Sequence, residues 1–259
     1  MKFSTIVSGS SGNCVLIQGG SANILVDAGC SLRYLRNALA ELHIDESSLS
    51  AILITHEHTD HVSGAARISR QLGLPVYATE HTWEKLPFRE DFFAWERHVF
   101  DYGMEIGNIG LDFFRLSHDA AQPVGFVFEH KGQRIGVATD TGVITPSMNR
   151  LLKNVHGLVL EANHDPVMLQ QGSYPAFLKR RVISENGHLS NAQAGAALAQ
   201  FVGDKTRAVI LAHLSANNNL PELALSTIKN CLQYSRHYSD VAITIAPRSR
   251  VHPLVNIDI

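Results

Sequence analysis

The feature that most constrains this chain is a run of six residues, His56-Glu57-His58-Thr59-Asp60-His61, set directly after the apolar residues 51–55. A continuous apolar stretch of that length predicts a strand buried on both faces. In an extended segment, positions two apart point the same way, which puts His56 and His58 on one side. Asp60 and His61 lie just beyond, where the chain turns into a loop. One short segment can thus offer ligands to two neighbouring metal ions. Imidazole nitrogen and carboxylate oxygen suit zinc or manganese, with iron possible, and the lack of thiolates in the run argues against a purely structural zinc knot. Two ions need more than four ligands. His118, Asp140 and His213 each stand just past an apolar strand-like stretch, where sites in layered α/β proteins gather. Asp140, with two oxygens, is able to bridge.

The remaining pattern predicts how these residues are brought together. Strands are expected over 3–7, 14–17, 23–26, 51–55, 113–116, 124–130, 134–138, 157–161, 208–212 and 241–245. Helices are expected over 32–42 with Ser31 as N-cap, 64–72 closed by Gly73, 189–201 and 221–233. Strands and helices in both halves predict an α+β fold: a four-layer αββα sandwich of two facing mixed sheets with helices outside. Residues 82–104 read as irregular. They carry Trp83, Phe88, Phe92, Phe93 and Trp95, either as a substrate-facing insertion or as a loop packing its own aromatics.

Composition narrows the classes. The chain has 259 residues, 45% of them hydrophobic and 18% charged, which predicts one folded domain over 1–259 and not disorder. A net charge of −2 argues against a bulk polyanion-binding surface but leaves room for a local basic patch. Cys14, Cys30 and Cys231 are odd in number and form no CxxC pair, so a reducing cytoplasm is expected. The start, Met1-Lys2-Phe3-Ser4, enters a strand without a signal-peptide pattern, and no apolar run reaches ~18 residues, so no membrane association is expected. Composition leaves the oligomeric state open.

On these residues the chain resembles the metallo-β-lactamase superfamily, over about residues 1–215. The resemblance implies that His56, His58 and His118 hold one metal, that Asp60, His61 and His213 hold a second, and that Asp140 bridges. The β-lactamases themselves lack that bridging Asp, so its presence favours the phosphodiesterase and glyoxalase branches. Ser8-Gly9-Ser10-Ser11-Gly12-Asn13, Ser117-His118-Asp119-Ala120, Glu161-Ala162-Asn163-His164-Asp165, Gly187-His188-Leu189-Ser190-Asn191 and Ala212-His213-Leu214-Ser215 resemble the YycJ/WalJ family. That family implies 5′-to-3′ exonuclease action on DNA, and its members are also labelled cyclic phosphodiesterases. A more distant similarity to tRNA 3′-processing endoribonucleases implies that Glu161 and His188 help protonate the leaving oxygen. The exosite arm of those enzymes has no counterpart in the sequence.

The expected chemistry is in-line hydrolysis of a phosphodiester by water that two divalent ions activate. Asp60 binds a metal and orients the water. His188 is the candidate general acid, with Glu161 orienting it, near a helix start that favours an anion. His164 is a further candidate, for contact with substrate or metal-bound water. Ser10, Ser11, Asn13 and Asn163 are candidate phosphate contacts. The basic run Lys179-Arg180-Arg181 is a candidate nucleic-acid contact, with DNA ahead of RNA. The alternatives are a small cyclic phosphodiester as substrate, endoribonuclease action, a glyoxalase-type thioester hydrolase and a non-catalytic metal-binding module.

Overall fold

The computed structural model describes every residue except Phe88, Tyr234, Arg236, His237 and Ile259. Its strands are β1 (Lys2–Val7), β2 (Cys14–Gly19), β3 (Ala22–Val26), β4 (Leu49–Leu53), β5 (Val76–Ala78), β6 (Arg97–Val99) and β7 (Met104–Ile106). They continue as β8 (Ile109–Arg115), β9 (Val124–His130), β10 (Gln133–Ala138), β11 (Gly157–Glu161), β12 (Ala208–Ala212), β13 (Ala242–Ile245) and β14 (Val255–Asn256). They form two sheets of seven strands, ordered β14-β1-β2-β3-β4-β5-β6 and β13-β12-β11-β10-β9-β8-β7. Each sheet is mixed. In the first, β1, β2 and β3 pair antiparallel and β3 to β6 run parallel. In the second, β7 to β10 are antiparallel and β10 to β13 parallel.

Alternation along the strands builds the layers. Phe126 and Phe128 of β9, Ile135 and Val137 of β10, Val159 of β11 and Ile210 of β12 face the first sheet's Phe3, Val15, Ile17 and Ile24. Their neighbours Val127, Leu158, Leu160, Val209 and Leu211 face outward. There they meet helices α5 (Pro146–Leu152), α8 (Asn191–Phe201) and α9 (Pro221–Leu232). The first sheet's outer face carries α1 (Leu32–Glu41), α3 (Ala65–Leu72) and α4 (Glu80–Lys85). Because both faces of the central strands are covered, those strands must be apolar throughout, which is why they read as continuous runs. The sheets approach closely at Gly157, where a Cβ would lie 2.6 Å from the Phe3 ring. The four-layer sandwich is thus the observed architecture.

Several boundaries differ from expectation. The strand expected over 51–55 is β4, which ends at Leu53, because Thr55 turns its amide and hydroxyl onto the Asp27 carboxylate. Residues 82–104 are not wholly irregular: part of α4 and the strand β6 lie there, β6 pairing with β5. Trp83 and Phe92 pack edge to face at 5.2 Å, so the segment buries its own aromatics, and Phe93 and Trp95 stay half exposed. Phe88 lies outside the described residues. Five short helices lie outside the expected ones: α2 (Thr59–Val62), α4, α5, α6 (Pro166–Gln171) and α7 (Ala176–Val182).

The C-terminal ends of β3, β4, β8, β10, β11 and β12 lie along one rim shared by both sheets. Asp27, His56, His118, Asp140, Glu161 and His213 stand at or just past these ends.

Candidate metal centre

The run after β4 leaves the sheet and becomes the four-residue helix α2 (Thr59–Val62), with His58 at its N-cap. That turn aims His56 and His58 at one point and Asp60 and His61 at a second. His118 joins the first point. His56 Nε2 lies 3.0 Å from His58 Nδ1, which lies 3.3 Å from His118 Nε2. The remote nitrogens of two of these rings are anchored: His56 Nδ1 sits 2.9 Å from Thr55 Oγ1, and His118 Nδ1 sits 3.2 Å from the Gly187 carbonyl. An N–H donated outward leaves the inward nitrogen with a lone pair, as metal-binding histidines require.

At the second point Asp60 Oδ2 lies 3.4 Å from His61 Nε2 and 3.9 Å from His213 Nε2. Asp140 stands between the two groups, with Oδ2 3.4 Å from His61 Nε2. Its donor atom falls in one cluster with His56 and His61 and in another with Glu161, His188 and His213. Asp140 and His213 have φ angles of 61° and 55°, in the left-handed region that non-glycine residues seldom adopt. Such backbone strain concentrates where the surrounding structure forces side chains into a site.

The donor set fits divalent cations. Five imidazoles and two carboxylates offer inward-facing atoms, and no thiolate takes part. Asp140 Oδ2 and His213 Nε2 are buried without a hydrogen-bond partner. The electrostatics agree. Burial works against charging His213, yet Asp140, Asp60 and Glu161 beside it hold its pKa up at about 10. Burial likewise opposes a charged His61, and Asp140 and Asp27 override it. Asp60 stays ionised despite burial because the His213 and His61 imidazoles stand beside its carboxylate. The carboxylates therefore demand positive charge at the centre. His56, by contrast, is pushed far down by burial and by its neighbouring imidazoles, so its lone pair is available.

Behind the candidate ligands stand residues that fix them. Glu161 is fully buried and accepts from His188 Nδ1 at 2.6 Å, His213 Nδ1 at 3.0 Å, Thr141 N at 3.1 Å and Leu189 N at 3.2 Å. Its carboxyl sits far below the ordinary range: burial opposes this, and His188 and His213 outweigh it. Glu161 in turn raises the His188 pKa against the effect of burial. Sequence reasoning missed Asp27, which is buried at φ 61°. Its Oδ2 lies 2.7 Å from His61 Nδ1, and its carboxylate accepts from the Thr55 hydroxyl. The available signal was faint: a single acid after the apolar β3. Asn13 Nδ2 lies 3.0 Å from both Asp60 Oδ2 and His61 Nε2.

A cavity of about 250 Å³ opens over the cluster, with His58, Asp60, His118, Asp140, His188 and His213 in its walls. Ser10, Asn163 and Arg181 also line it, as do Tyr174, Leu178, Ser215 and Asn218. Other expected contacts fall elsewhere. Ser11 is exposed outside the cavity, and Asn13 acts on the ligands from within. Arg180 is exposed outside it, and Lys179 Nζ bonds the Gln170 carbonyl. Arg181 is engaged by Asp119. His164 is 2% exposed and does not line the cavity; its backbone bridges to Ser190, and burial pulls its pKa down to about 4. No described residue of 82–104 reaches the cavity wall.

Two facing mixed sheets carrying this cluster on their shared rim define the class, and comparison with known proteins agrees. A family model described as a beta-lactamase superfamily domain matches residues 22–214, and the chain belongs to that superfamily as a YycJ/WalJ-like metallo-β-lactamase. It is 37% identical over 236 residues to a Streptococcus pneumoniae protein named exodeoxyribonuclease WalJ, covering 89% of this chain and 88% of that protein. It is 35% identical over 236 residues to a Bacillus anthracis protein named exodeoxyribonuclease YycJ, covering 90% and 89%. Among solved structures, Bacillus subtilis YhfI, a metallo-beta-lactamase fold protein, superposes with a TM-score of 0.71 at 18% identity, covering 97% and 98%. Human tRNase Z, short form, does so at 0.67 and 16% identity, covering all of both chains. These two likenesses concern the fold.

Proposed function

We propose that this chain is a two-metal phosphodiesterase that degrades DNA exonucleolytically from the 5′ end. The observation that carries the chemistry is Glu161, which bonds His188 on the cavity wall and His213 in the metal cluster at once. The choice of DNA is supported by the names of the two bacterial relatives. His56, His58 and His118 would hold one ion, Asp60, His61 and His213 the other, with Asp140 between them. The ions are zinc or manganese, with iron as the third option. Held there, divalent ions neutralise phosphoryl charge and lower the pKa of bound water to about 7.

The chain's own groups do the rest. Asp60 is held ionised and orients what binds beside it. His188 keeps its proton because Glu161 accepts from Nδ1, which leaves Nε2–H to be given to the departing oxygen. Arg181, Ser10 and Asn163 lie on the wall where they can meet a phosphate. In the free cysteines Cys14, Cys30 and Cys231 nothing opposes a cytoplasmic setting, and no described helix is long and apolar enough to cross a membrane.

The test is incubation of the metal-loaded protein with 5′-labelled duplex DNA, single-stranded DNA and RNA. Labelled mononucleotide released first from DNA supports the proposal. A ladder of internal products points to endonuclease action, and preference for RNA points to an endoribonuclease. The small cavity also favours a second reading, a small cyclic phosphodiester as substrate. Turnover of cyclic nucleotides with none of DNA would replace the first reading by the second.

A further inference from the structure

A chain acting on a polymer has to hold more than the scissile diester, and the cavity over the metals is small. Its volume of about 250 Å³ falls at or below the lower end of the ~300–1,000 Å³ typical of small-molecule pockets. A DNA strand must therefore leave across the rim. The loop after β12 forms part of that rim and has two sides. Ser215 and Asn218 line the cavity, whereas Leu214, Ala216 and Asn219 line a second groove of about 440 Å³. Beyond the loop this groove is walled by Leu220 and Pro221 at the start of α9, by Ile245, and by Arg248 and Arg250.

The groove's charge and apolar surface fit a nucleic-acid strand. Arg248 donates to the Ser215 carbonyl, a neutral partner, so its positive charge stays uncompensated. Its side chain lies against the turn at Gly9, beside the cavity-lining Ser10. Among the described residues neither Arg248 nor Arg250 forms an ion pair, whereas Arg181 is neutralised by Asp119. One exposed acid, Glu222, shares the groove with the two guanidinium groups. Leu220 is 52% exposed there and, with Pro221 and Ile245, offers apolar surface for a base. On the loop between the two spaces, Asn218 is 1% exposed and its Oδ1 has no partner.

Resting on the DNA reading above, we propose that the Arg248–Arg250 groove binds the portion of the DNA strand that runs on from the metal centre. Arg248 and Arg250 take successive phosphates, and the apolar floor takes a base. The groove is then the feature that separates a polymer substrate from a small diester, and it supplies the basic surface that a net charge of −2 obscures.

The experiment compares the metal-loaded wild type with Arg250→Glu and with an Arg248→Ala/Arg250→Ala double variant. Each is assayed on a dinucleotide and on single-stranded DNA longer than ~16 nucleotides, at several salt concentrations. The expected result is a KM for the long strand raised about ten-fold more than that for the dinucleotide. The salt dependence of log(kcat/KM) on the long strand should also flatten by about 1.4, for two lost phosphate contacts at ~0.7 each. Equal losses on both substrates would overturn the proposal, since that is what a merely structural role of Arg248 at Ser215 predicts. No loss on either would overturn it while leaving the exonuclease reading intact. Turnover of small diesters without any cleavage of DNA by the wild type would overturn both.

Discussion

Glu161 serves two partners, and its replacement separates positioning from proton transfer. In Glu161→Gln the side chain keeps its shape but loses the charge that holds the proton on His188 and orients His213. Turnover should fall by about 10²–10⁴, the range of a lost general acid. Metal affinity should fall as well, by about 10–100-fold, as when a partner behind a ligand is removed. His188→Asn should show the first loss without the second. Metal content by mass spectrometry beside turnover of a diester checks both; full metal content in Glu161→Gln would mean that His213 needs no orienting partner. His252 offers a residue-scale test of stability. It is buried, with Nε2 2.9 Å from Thr244 Oγ1, and burial lowers its pKa below the ordinary value. The folded chain therefore holds it neutral, while the unfolded chain binds a proton as pH falls through ~6.5. The unfolded state then carries more protons, so this contribution to stability is present above that pH and is lost below it. Unfolding free energy in urea at pH 7, 6 and 5 should fall less steeply in His252→Gln than in the wild type. One proton limits the difference to about 1.4 kcal/mol per pH unit, and identical slopes would show that His252 charges freely in the fold.

The element that presents the candidate ligands cannot hold itself. The helix α2 has four residues, too few for stability without tertiary support. Its support is a backbone clasp: Asn13 N to Asp60 O at 2.8 Å, Ala28 N to His61 O at 2.8 Å, and Gly64 N to Ala28 O at 2.9 Å. Gly29 packs so closely that a Cβ would lie 1.7 Å from the Asp60 carbonyl oxygen. Gly29→Ala must push α2 off its seat. The expected cost is about 1–3 kcal/mol of stability, as for overpacked cores, together with weaker metal binding, read by urea unfolding and metal titration. A variant that melts and binds like the wild type would show that the clasp is loose. This scale also explains what the sequence disclosed. β9, β11 and β12 were legible to the residue because strands buried on both faces carry near-continuous apolar runs. The clustering of the His56–His61 run was legible because four of its candidate ligands fall within six residues, and that of His118, Asp140 and His213 because each follows such a strand. The helices α5, α6 and α7 span two turns or less, too little for periodicity to register. Asp27 was hidden because one acid after β3 has no local pattern. Arg248 was hidden because its neighbour Ser215 is far away in sequence and close only in the fold.

Across the whole molecule the two sheets share one core, and at the rim they share one set of candidate ligands. His56, His58, Asp60 and His61 follow β4 of the first sheet, whereas His118, Asp140 and His213 follow β8, β10 and β12 of the second. Divalent ions bound there would tie the sheets together at the edge where the core ends. They would also relieve the clustering of carboxylates around His61 and His213, whose pKa values those carboxylates raise. A ligand that binds only the folded state stabilises it by about 2.7 kcal/mol at a hundred times its Kd. For a chain of this size each kcal/mol moves Tm by about 2–4 °C. Stripping the ions with a chelator should therefore lower Tm by roughly 5–10 °C, and returning zinc or manganese should restore it. Asp140→Asn, which weakens the ligand between the two groups, should shrink that shift, whereas Arg250→Glu, remote from the ligands, should leave it unchanged. A Tm that ignores chelation, with metal loss verified by mass spectrometry, would mean that the hydrophobic core alone positions all seven ligands and that the ions contribute nothing to holding the sheets in place.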